Sequence, residues 1–279
     1  MAPAPKGARS RAAGGSVEAV RPGQGVGRIV EAMLLSQRPV SEGPRLDSST
    51  TADYTRLLSL AVHELRTPAS VVAGYLRMLK GNTTAALDDR QIKMVTEAEK
   101  SCARIVDLIN ELSEVSKLDA GVAAIVEERF DLFGLVADTA ERVTEGRDRG
   151  VTLRVEGERA GAPLVGDAPR LRAAFDAFLR AILREQPGAG TVVAARRLAQ
   201  GGAGRSAVIV IAREREVERA YDAGPAPFDD KRGGLGLALP IARRVVERLG
   251  GRVWSPAVES SDGGRTSLVV SIPLREHNR

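Results

Sequence analysis

His63 and Glu64 are neighbouring residues whose side chains could carry out chemistry together, in a chain of 279 residues with only two histidines. A carboxylate beside an imidazole can accept its N–H, fix the tautomer and make the other ring nitrogen a better nucleophile. Thr67 lies one helical turn further on, on the same face as His63. Pro68 then removes a backbone donor and strains a helix just after this cluster. The spacing indicates an imidazole nucleophile on a helix surface, and an ordinary surface histidine is the alternative interpretation.

The segment around His63 carries apolar residues at alternating steps of four and three, which predicts a helix with a coiled-coil seam. The seam consists of Leu58, Val62, Leu65, Ala69, Val72, Leu76 and Leu79. His63 falls one position off this seam, on the water side. After the turn "KGNTT", the stretch from Ile92 to Val115 repeats nearly the same spacing and predicts a second helix. The two stripes predict a helical hairpin, and pairing of two hairpins into a four-helix bundle would cover the apolar surface that remains.

Beyond the hairpin, predicted helices at about 132–148, 168–185 and 237–249 alternate with strand-like runs. These runs are "VTLRVEG", "TVVAARRL", "SAVIVIA", "RVWSPAV" and "TSLVVSIPL". The last strands form hairpins, so a mixed sheet covered on one face by helices is expected. The predicted fold class is α+β, in which the dimerising hairpin is followed by an α/β sandwich.

Composition predicts three segments: a disordered tail and linker over 1–50, the hairpin over 51–120 and the sandwich over 125–275. Lys plus Arg outnumber Asp plus Glu by 41 to 36 with both signs mixed, and aromatic residues make up 3%. So few aromatic residues provide no stacking platform for nucleic acid, and no nucleic-acid partner is expected. Cys102 is the single cysteine, which excludes an internal disulfide and is typical of a reducing cytoplasm. No run is apolar enough to cross a bilayer, so we expect a soluble, cytoplasmic protein without membrane insertion.

The motif "HELRTP", His63 to Pro68, resembles the phosphoacceptor box of two-component histidine kinases. The resemblance extends in the same order through further motifs of that family. "KLDAG" resembles the end of the dimerisation hairpin, "ERFDLFGLV" the start of the ATP domain, "VGDAPRLRAAFDAFLRAIL" its first long helix and "GGLGLALPIARRVVERLGGRVW" its glycine-rich nucleotide loop with the following helix and strand.

This resemblance implies a role for each residue of the box. His63 would be the phosphoacceptor, Glu64 the base that activates it, and Thr67 the residue that positions water or the partner for dephosphorylation. It also implies ATP as the cofactor, a homodimer formed through the hairpin, and phosphoryl transfer to an aspartate of a response regulator receiver domain. Such transfer asks the protein mainly for placement and charge neutralisation.

Glycines at 233, 234 and 236 would form the nucleotide loop by this resemblance. Gly233, Gly234 and Gly236 allow the backbone to approach phosphates closely, and the helix that starts near Leu237 presents free N–H groups and a positive dipole end. These residues therefore predict a phosphate cradle, whereas a glycine turn at a helix start is the alternative.

Two arginines depart from the family's pattern. Alignment of "DAFLRAIL" places Arg180 where the family has an asparagine that ligates magnesium, and Asp176 where a second asparagine is common. Because arginine cannot ligate a cation, we expect Arg180 to repel Mg²⁺ and to pair with phosphate directly, joined by Arg184 one turn on. No metal site is predicted. Arg213 stands near the family's adenine-reading aspartate and offers only donors, so that base contact is lost.

Three activities remain open at this stage. His63 could be phosphorylated from ATP by the protein's own kinase domain, or it could be charged by a partner, which would make the protein a phosphotransfer relay or a phosphatase. The third alternative is a pseudokinase that binds regulators as a scaffold. Retention of "HELRT" favours phosphotransfer over a scaffold, because a scaffold has no physical need of a nucleophile beside a carboxylate.

Overall fold

The computed structural model describes residues 48–81, 87–201, 204–256 and 267–274. Helices α1 (Ser48–Gly81) and α2 (Asp89–Asp119) pack against each other in antiparallel directions, and α1 continues through Pro68. The predicted helical hairpin is confirmed. Most of the predicted 1–50 tail lies outside the described residues, and the predicted domain boundaries stay predictions. Among the residues described, no helix has both the length and the apolar character that crossing a bilayer requires.

The start of α2 is fixed by a reciprocal cap. The Asp88 carboxylate accepts a hydrogen bond from the Gln91 N–H at 2.7 Å, and the Gln91 side chain accepts one from the Asp88 N–H at 2.9 Å. Two backbone donors that a helix start leaves open are thereby satisfied. This cap sets where α2 begins.

The apolar seam of α1 divides into two sets. Val62 and Ala69 face α2 and are buried, and both belong to a small apolar cluster with Ile109. Leu65 and Val72, from the same predicted seam, remain about half exposed at 51% and 50%. The hairpin of one chain therefore covers one half of the seam and leaves the other half open.

The second unit contains the strands and the remaining helices. In chain order they are β1 (Glu128–Asp131), α3 (Leu132–Arg142), β2 (Val151–Gly157), β3 (Pro163–Gly166), α4 (Ala168–Arg184), β4 (Gly190–Gly201), β5 (Gly204–Arg213), α5 (Val217–Asp222), β6 (Pro225–Ala226), α6 (Ala238–Arg248), β7 (Arg252–Pro256) and β8 (Leu268–Pro273). Six strands form one sheet in the order β2-β4-β5-β8-β7-β6, and β1 pairs with β3 in a separate ribbon. Strands β2 and β4 are parallel and the other neighbours antiparallel, which confirms the predicted mixed sheet.

The main core lies between one face of this sheet and helices α3, α4 and α6. Phe133, Phe175 and Phe178 are fully buried in it, and the rings of Phe175 and Phe178 meet edge to face. The prediction of helices on a single face was incomplete, because the short helix α5 packs on the opposite face through Val217 and Ala220. Alternate residues of β4 and β5 are apolar on both faces, so the second face also needs a cover.

Candidate functional site

His63 lies on the outer face of α1 with its side chain 77% exposed. The Glu64 carboxylate is also exposed, and its Oε1 lies 3.5 Å from His63 Nδ1, at the limit of hydrogen bonding. Thr67 is exposed one turn further along the helix. A carboxylate that accepts from Nδ1–H leaves the lone pair on Nε2, the arrangement that a nucleophilic imidazole needs. The three residues predicted for catalysis therefore lie together on an open surface.

The backbone around Val62 holds His63 in this position. Val62 packs against Ile109 of α2, and the Arg66 guanidinium donates to the Asn110 side-chain oxygen at 3.3 Å. These contacts join the His63 turn of α1 to one turn of α2. The imidazole thus projects from a packed pair of helices and remains accessible from outside.

The glycine-rich loop between β6 and α6 has left-handed backbone at all three predicted glycines. The φ angles are 62° at Gly233, 60° at Gly234 and 65° at Gly236, a region that side chains disfavour. Gly233 also lies directly against α4, where an added Cβ would come within 2.7 Å of the Ala181 Cα. The loop conformation and its contact with α4 both depend on glycine.

Arg232 anchors the loop and was not identified from the sequence. Its side chain is only 2% exposed and contacts Glu185 at 2.5 Å, at the end of α4. It also donates to the Ser267 carbonyl at 2.8 Å and to the Ser255 hydroxyl at 3.3 Å. Burial raises the pKa of Glu185 more than the neighbouring Arg232 lowers it. The sequence signal was an arginine directly before the glycines, but its acidic partner is 47 residues away.

The predicted phosphate-binding arginines of α4 are paired with carboxylates. Arg180 and Arg184 both face Glu145, with Nε to carboxylate distances of 3.6 Å and 3.2 Å, and Arg180 also lies 3.5 Å from Asp176. Arg184 donates to the Gly233 carbonyl at 3.2 Å. The structure therefore brings Arg184 to the glycine-rich loop, while Arg180 contacts acidic side chains.

Arg213, the residue near the adenine-reading position, contacts the end of α4. Its Nε donates to the Gln186 side-chain oxygen at 2.7 Å, and the Gln186 amide group donates to the Ile182 carbonyl at 2.9 Å. The guanidinium is thus oriented by a neutral acceptor. No group of three or more His, Cys, Asp or Glu side chains placed to hold a metal occurs within the described ranges.

The start of α6 contacts the hairpin through an acidic side chain that sequence reasoning missed. The Leu237 N–H donates to Glu111 Oε2 of α2 at 3.1 Å. Arg104, two turns earlier on α2, lies 3.7 Å from the same carboxylate, and its guanidinium packs where a side chain at Gly236 would collide with it. Gly236 and Leu237 therefore face the hairpin, whereas Gly233 faces α4.

Further ion pairs hold the second unit against α2. Arg244 of α6 contacts the Asp119 carboxylate at 2.6 Å and 3.0 Å, and Arg170 of α4 contacts Glu114 at 2.8 Å. Arg170 also contacts Asp167, the N-cap of α4, at 2.7 Å. Burial alone would raise the pKa of Asp167, but hydrogen bonds from the Arg170 and Val126 N–H groups and from the Arg170 guanidinium lower it overall.

Comparison with known proteins identifies the two units. The family model for the His Kinase A (phospho-acceptor) domain matches residues 54–121, and the model for the histidine kinase-, DNA gyrase B- and HSP90-like ATPase matches residues 166–276. Sensor protein DivL of Caulobacter vibrioides is 27% identical over 223 residues, 76% of this chain and 27% of that protein. Histidine protein kinase DivJ of the same organism is 27% identical over 251 residues, 82% of this chain and 39% of that protein. The chain thus spans well under half the length of these relatives.

A solved structure shares the fold. The crystal structure of full-length ShkA in complex with AMPPNP superposes with a TM-score of 0.58 at 21% identity, covering 78% of this chain and 46% of that one. The fold of a helical hairpin followed by a mixed-sheet domain is therefore also found in a crystal structure.

Proposed function

Because the chain belongs to the two-component sensor histidine kinases, a family of signal transduction proteins, we propose that His63 is its phosphoacceptor. His63 takes a phosphoryl group on its imidazole and passes it to an aspartate of a response regulator receiver domain. Glu64 orients and activates the ring, and Thr67 positions water or the partner for dephosphorylation. The observation that carries this proposal is the exposed imidazole of His63 beside the Glu64 carboxylate on the outer face of α1.

Exposure is what phosphotransfer between proteins requires at this position. The imidazole must be reached by the group that donates the phosphoryl and afterwards by the receiver domain that accepts it. A histidine packed inside the hairpin, as Val62 is, would admit neither partner. The contacts of Val62 and Arg66 with α2 support the helical turn that carries His63 while partners exchange.

ATP is the phosphoryl donor that fits the second unit. The three left-handed glycines and the Leu237 N–H at the start of α6 suit the phosphate end of a nucleotide, and this N–H already holds a carboxylate, so the position accepts an anion. ATP would bring the transferable phosphoryl group. Arg184, which contacts Gly233, is placed to face those phosphates once Glu145 releases it. The exclusion of Mg²⁺ by Arg180 stays a prediction.

A phosphorylated regulator is a second possible phosphoryl donor, and the contacts that engage the nucleotide loop and its neighbouring arginines favour it. Gly233 lies against Ala181, and Arg180 and Arg184 are engaged by Glu145. If these contacts persist, His63 receives its phosphoryl group from a phosphorylated regulator, and the protein acts as a relay or a phosphatase. With either donor, ATP or the phosphorylated regulator, the phosphoryl group is placed on the His63 imidazole.

A homodimer follows from the open half of the seam. A phosphoacceptor hairpin of this family implies dimerisation. Leu65, Val72 and Leu79 are exposed at intervals of seven residues, which is the spacing of a coiled-coil position facing a partner helix. We therefore assign this face to a second copy of the chain, which completes a four-helix bundle. The predicted cytoplasmic location stays a prediction.

The test is phosphorylation of the full chain by two donors in parallel. Wild type is incubated with radiolabelled ATP, with Mg²⁺ or with EDTA, and separately with a receiver domain phosphorylated by radiolabelled acetyl phosphate. We expect acid-labile, base-stable label in at least one reaction, and none in His63→Gln. The matched control is His277→Gln, which removes the chain's other histidine and should label normally. Label that survives in His63→Gln, or no label from either donor, would refute the proposal.

The roles of the neighbouring residues are tested in the same assay. Glu64→Gln should slow labelling by about a hundredfold, the lower range for loss of a general base. Thr67→Ala should label at the wild-type rate but lose label more slowly. Equal labelling rates in wild type and Glu64→Gln would remove the base role from Glu64 while leaving His63 as the acceptor.

A further inference from the structure

The start of α6 is held by a carboxylate from the hairpin, and this contact falls on the residues that would cradle a phosphate. Glu111 accepts the Leu237 N–H at 3.1 Å. Its side chain is largely buried between the two units. A helix start attracts anions through its free N–H groups and positive dipole end, and a carboxylate and a phosphate compete for the same donors.

Arg104 adds a cation to the same place. Its guanidinium packs against Gly236, where even a methyl side chain would collide with it, and it lies 3.7 Å from Glu111. Its only carboxylate contact within the described part of the chain is this one, and its side chain is about half exposed. The arginine is therefore close enough to the loop to serve whichever anion occupies the start of α6.

We propose that Glu111 is an internal inhibitor of the nucleotide loop, and that Arg104 is the cation to which an incoming phosphate binds when it displaces Glu111. This inference rests on the proposed binding of ATP phosphates at Gly236 and Leu237. Without nucleotide, Glu111 satisfies the Leu237 N–H and neutralises Arg104. With nucleotide, a phosphate takes both contacts, and the Glu111 carboxylate moves into solvent.

The two residues are predicted to act in opposite directions. Removing the Glu111 charge weakens the competition with phosphate for the Leu237 N–H. It also leaves Arg104 without its carboxylate partner, so both effects strengthen phosphate binding. Removing the Arg104 charge deletes a contact that only the bound nucleotide fully uses. A charged group at a helix start changes affinity by roughly three- to tenfold, which sets the size expected for each substitution.

The experiment measures TNP-ATP binding to the full chain by fluorescence, with Mg²⁺ and with EDTA. Glu111→Gln keeps an oxygen that can accept the Leu237 N–H, so the loop should retain its shape while the charge is lost. We expect its Kd to fall by roughly three- to tenfold, and that of Arg104→Gln to rise by a similar factor. Thermal unfolding followed by circular dichroism checks that both variants remain folded.

Glu114→Gln is the matched control. It breaks the ion pair between Glu114 and Arg170, and so weakens docking on the same helix α2 without touching the loop. Its Kd should stay at the wild-type value. If Glu114→Gln tightens binding as much as Glu111→Gln, general undocking is the cause and the inhibitor role is refuted.

Other outcomes are equally decisive. An unchanged Kd in Glu111→Gln, or an unchanged or tighter Kd in Arg104→Gln, overturns the inference. If TNP-ATP binds to none of the proteins, the inference is also overturned, because there is then no nucleotide binding for Glu111 to inhibit. In that case the proposed phosphotransfer is judged separately, by labelling of His63 from the phosphorylated receiver domain.

Discussion

The ion pair between Glu185 and Arg232 makes a quantitative prediction about how the glycine-rich loop is held. Arg232 is the most deeply buried charged partner in the described ion pairs, with 2% of its side chain exposed. Glu185 contacts it through both carboxylate oxygens, at 2.5 Å to 3.2 Å. Substituting Glu185→Gln keeps the shape of the side chain and removes its charge.

The size of the effect follows from the remaining contacts of Arg232. Removing one partner of a fully buried ion pair costs about 3–5 kcal/mol. Here Arg232 keeps the Ser255 hydroxyl and the Ser267 carbonyl, and a glutamine oxygen still accepts one hydrogen bond. Burial also makes the ionised Glu185 costly, as its raised pKa indicates, so its removal recovers part of the loss. We expect the free energy of unfolding to fall by about 1.5–3 kcal/mol.

Trp254 gives a clean assay for this prediction. It is the single tryptophan of the chain and lies on β7, so its fluorescence reports unfolding of the sheet domain and not of the hairpin. In urea, a loss of this size should lower the midpoint by about 1 M. The control is Glu218→Gln, which breaks an exposed pair with Arg197 and should cost at most about 0.5 kcal/mol. A Glu185→Gln midpoint equal to that of the control would refute the buried-pair argument.

Two further predictions concern the docking contacts and the open seam. Burial raises the pKa of Asp167, but hydrogen bonds from Arg170 and Val126 bring it below its ordinary 3.8, so its contribution to stability is present above that pH and is lost as the pH falls through the lower folded-state value. We expect Asp167→Asn to lower the free energy of unfolding by about 1–2 kcal/mol near neutral pH, and the difference from wild type to shrink as the pH falls below 3.8. Urea unfolding at several pH values measures this difference, and a pH-independent difference would contradict the prediction. Val72→Glu should convert a dimer to a monomer in light scattering, because like charges would face each other across the bundle, whereas Ser70→Glu on the outer face should leave the dimer intact.

Local periodicity predicted the hairpin because its pattern comes from neighbouring residues. The spacing of Val62, Leu65, Ala69 and Val72 indicated one seam, and the structure confirms the helices that carry it. The spacing did not reveal that Val62 and Ala69 face α2 while Leu65 and Val72 stay open. Both sets have the same apolar character and repeat, and only the position of the neighbouring helix separates them.

The site shows the same division between local and distant information. Exposure of His63 was predicted from its place beside the seam. The three glycines were predicted to form a phosphate cradle, and their left-handed backbone was found only in the structure. Glu111 was missed because it lies 126 residues from Leu237 on a helix that looks like an ordinary amphipathic one. The short helix α5 was missed because six residues are too few to establish a helical period.

The docked loop and His63 lie at the same level of the hairpin. Ile109 and Asn110 of α2 contact the residues on either side of His63 in α1, through Val62 and Arg66, and Glu111 is the next residue of α2. A phosphate that displaced Glu111 would therefore already stand at the level of His63. To bring this phosphate to His63, the second unit would have to move around the hairpin and not along it. Such a movement would break the contacts of Asp119 with Arg244 and those of Glu114 with Arg170. Since these pairs do not touch the loop, weakening them should alter how fast His63 is reached without altering how tightly nucleotide binds.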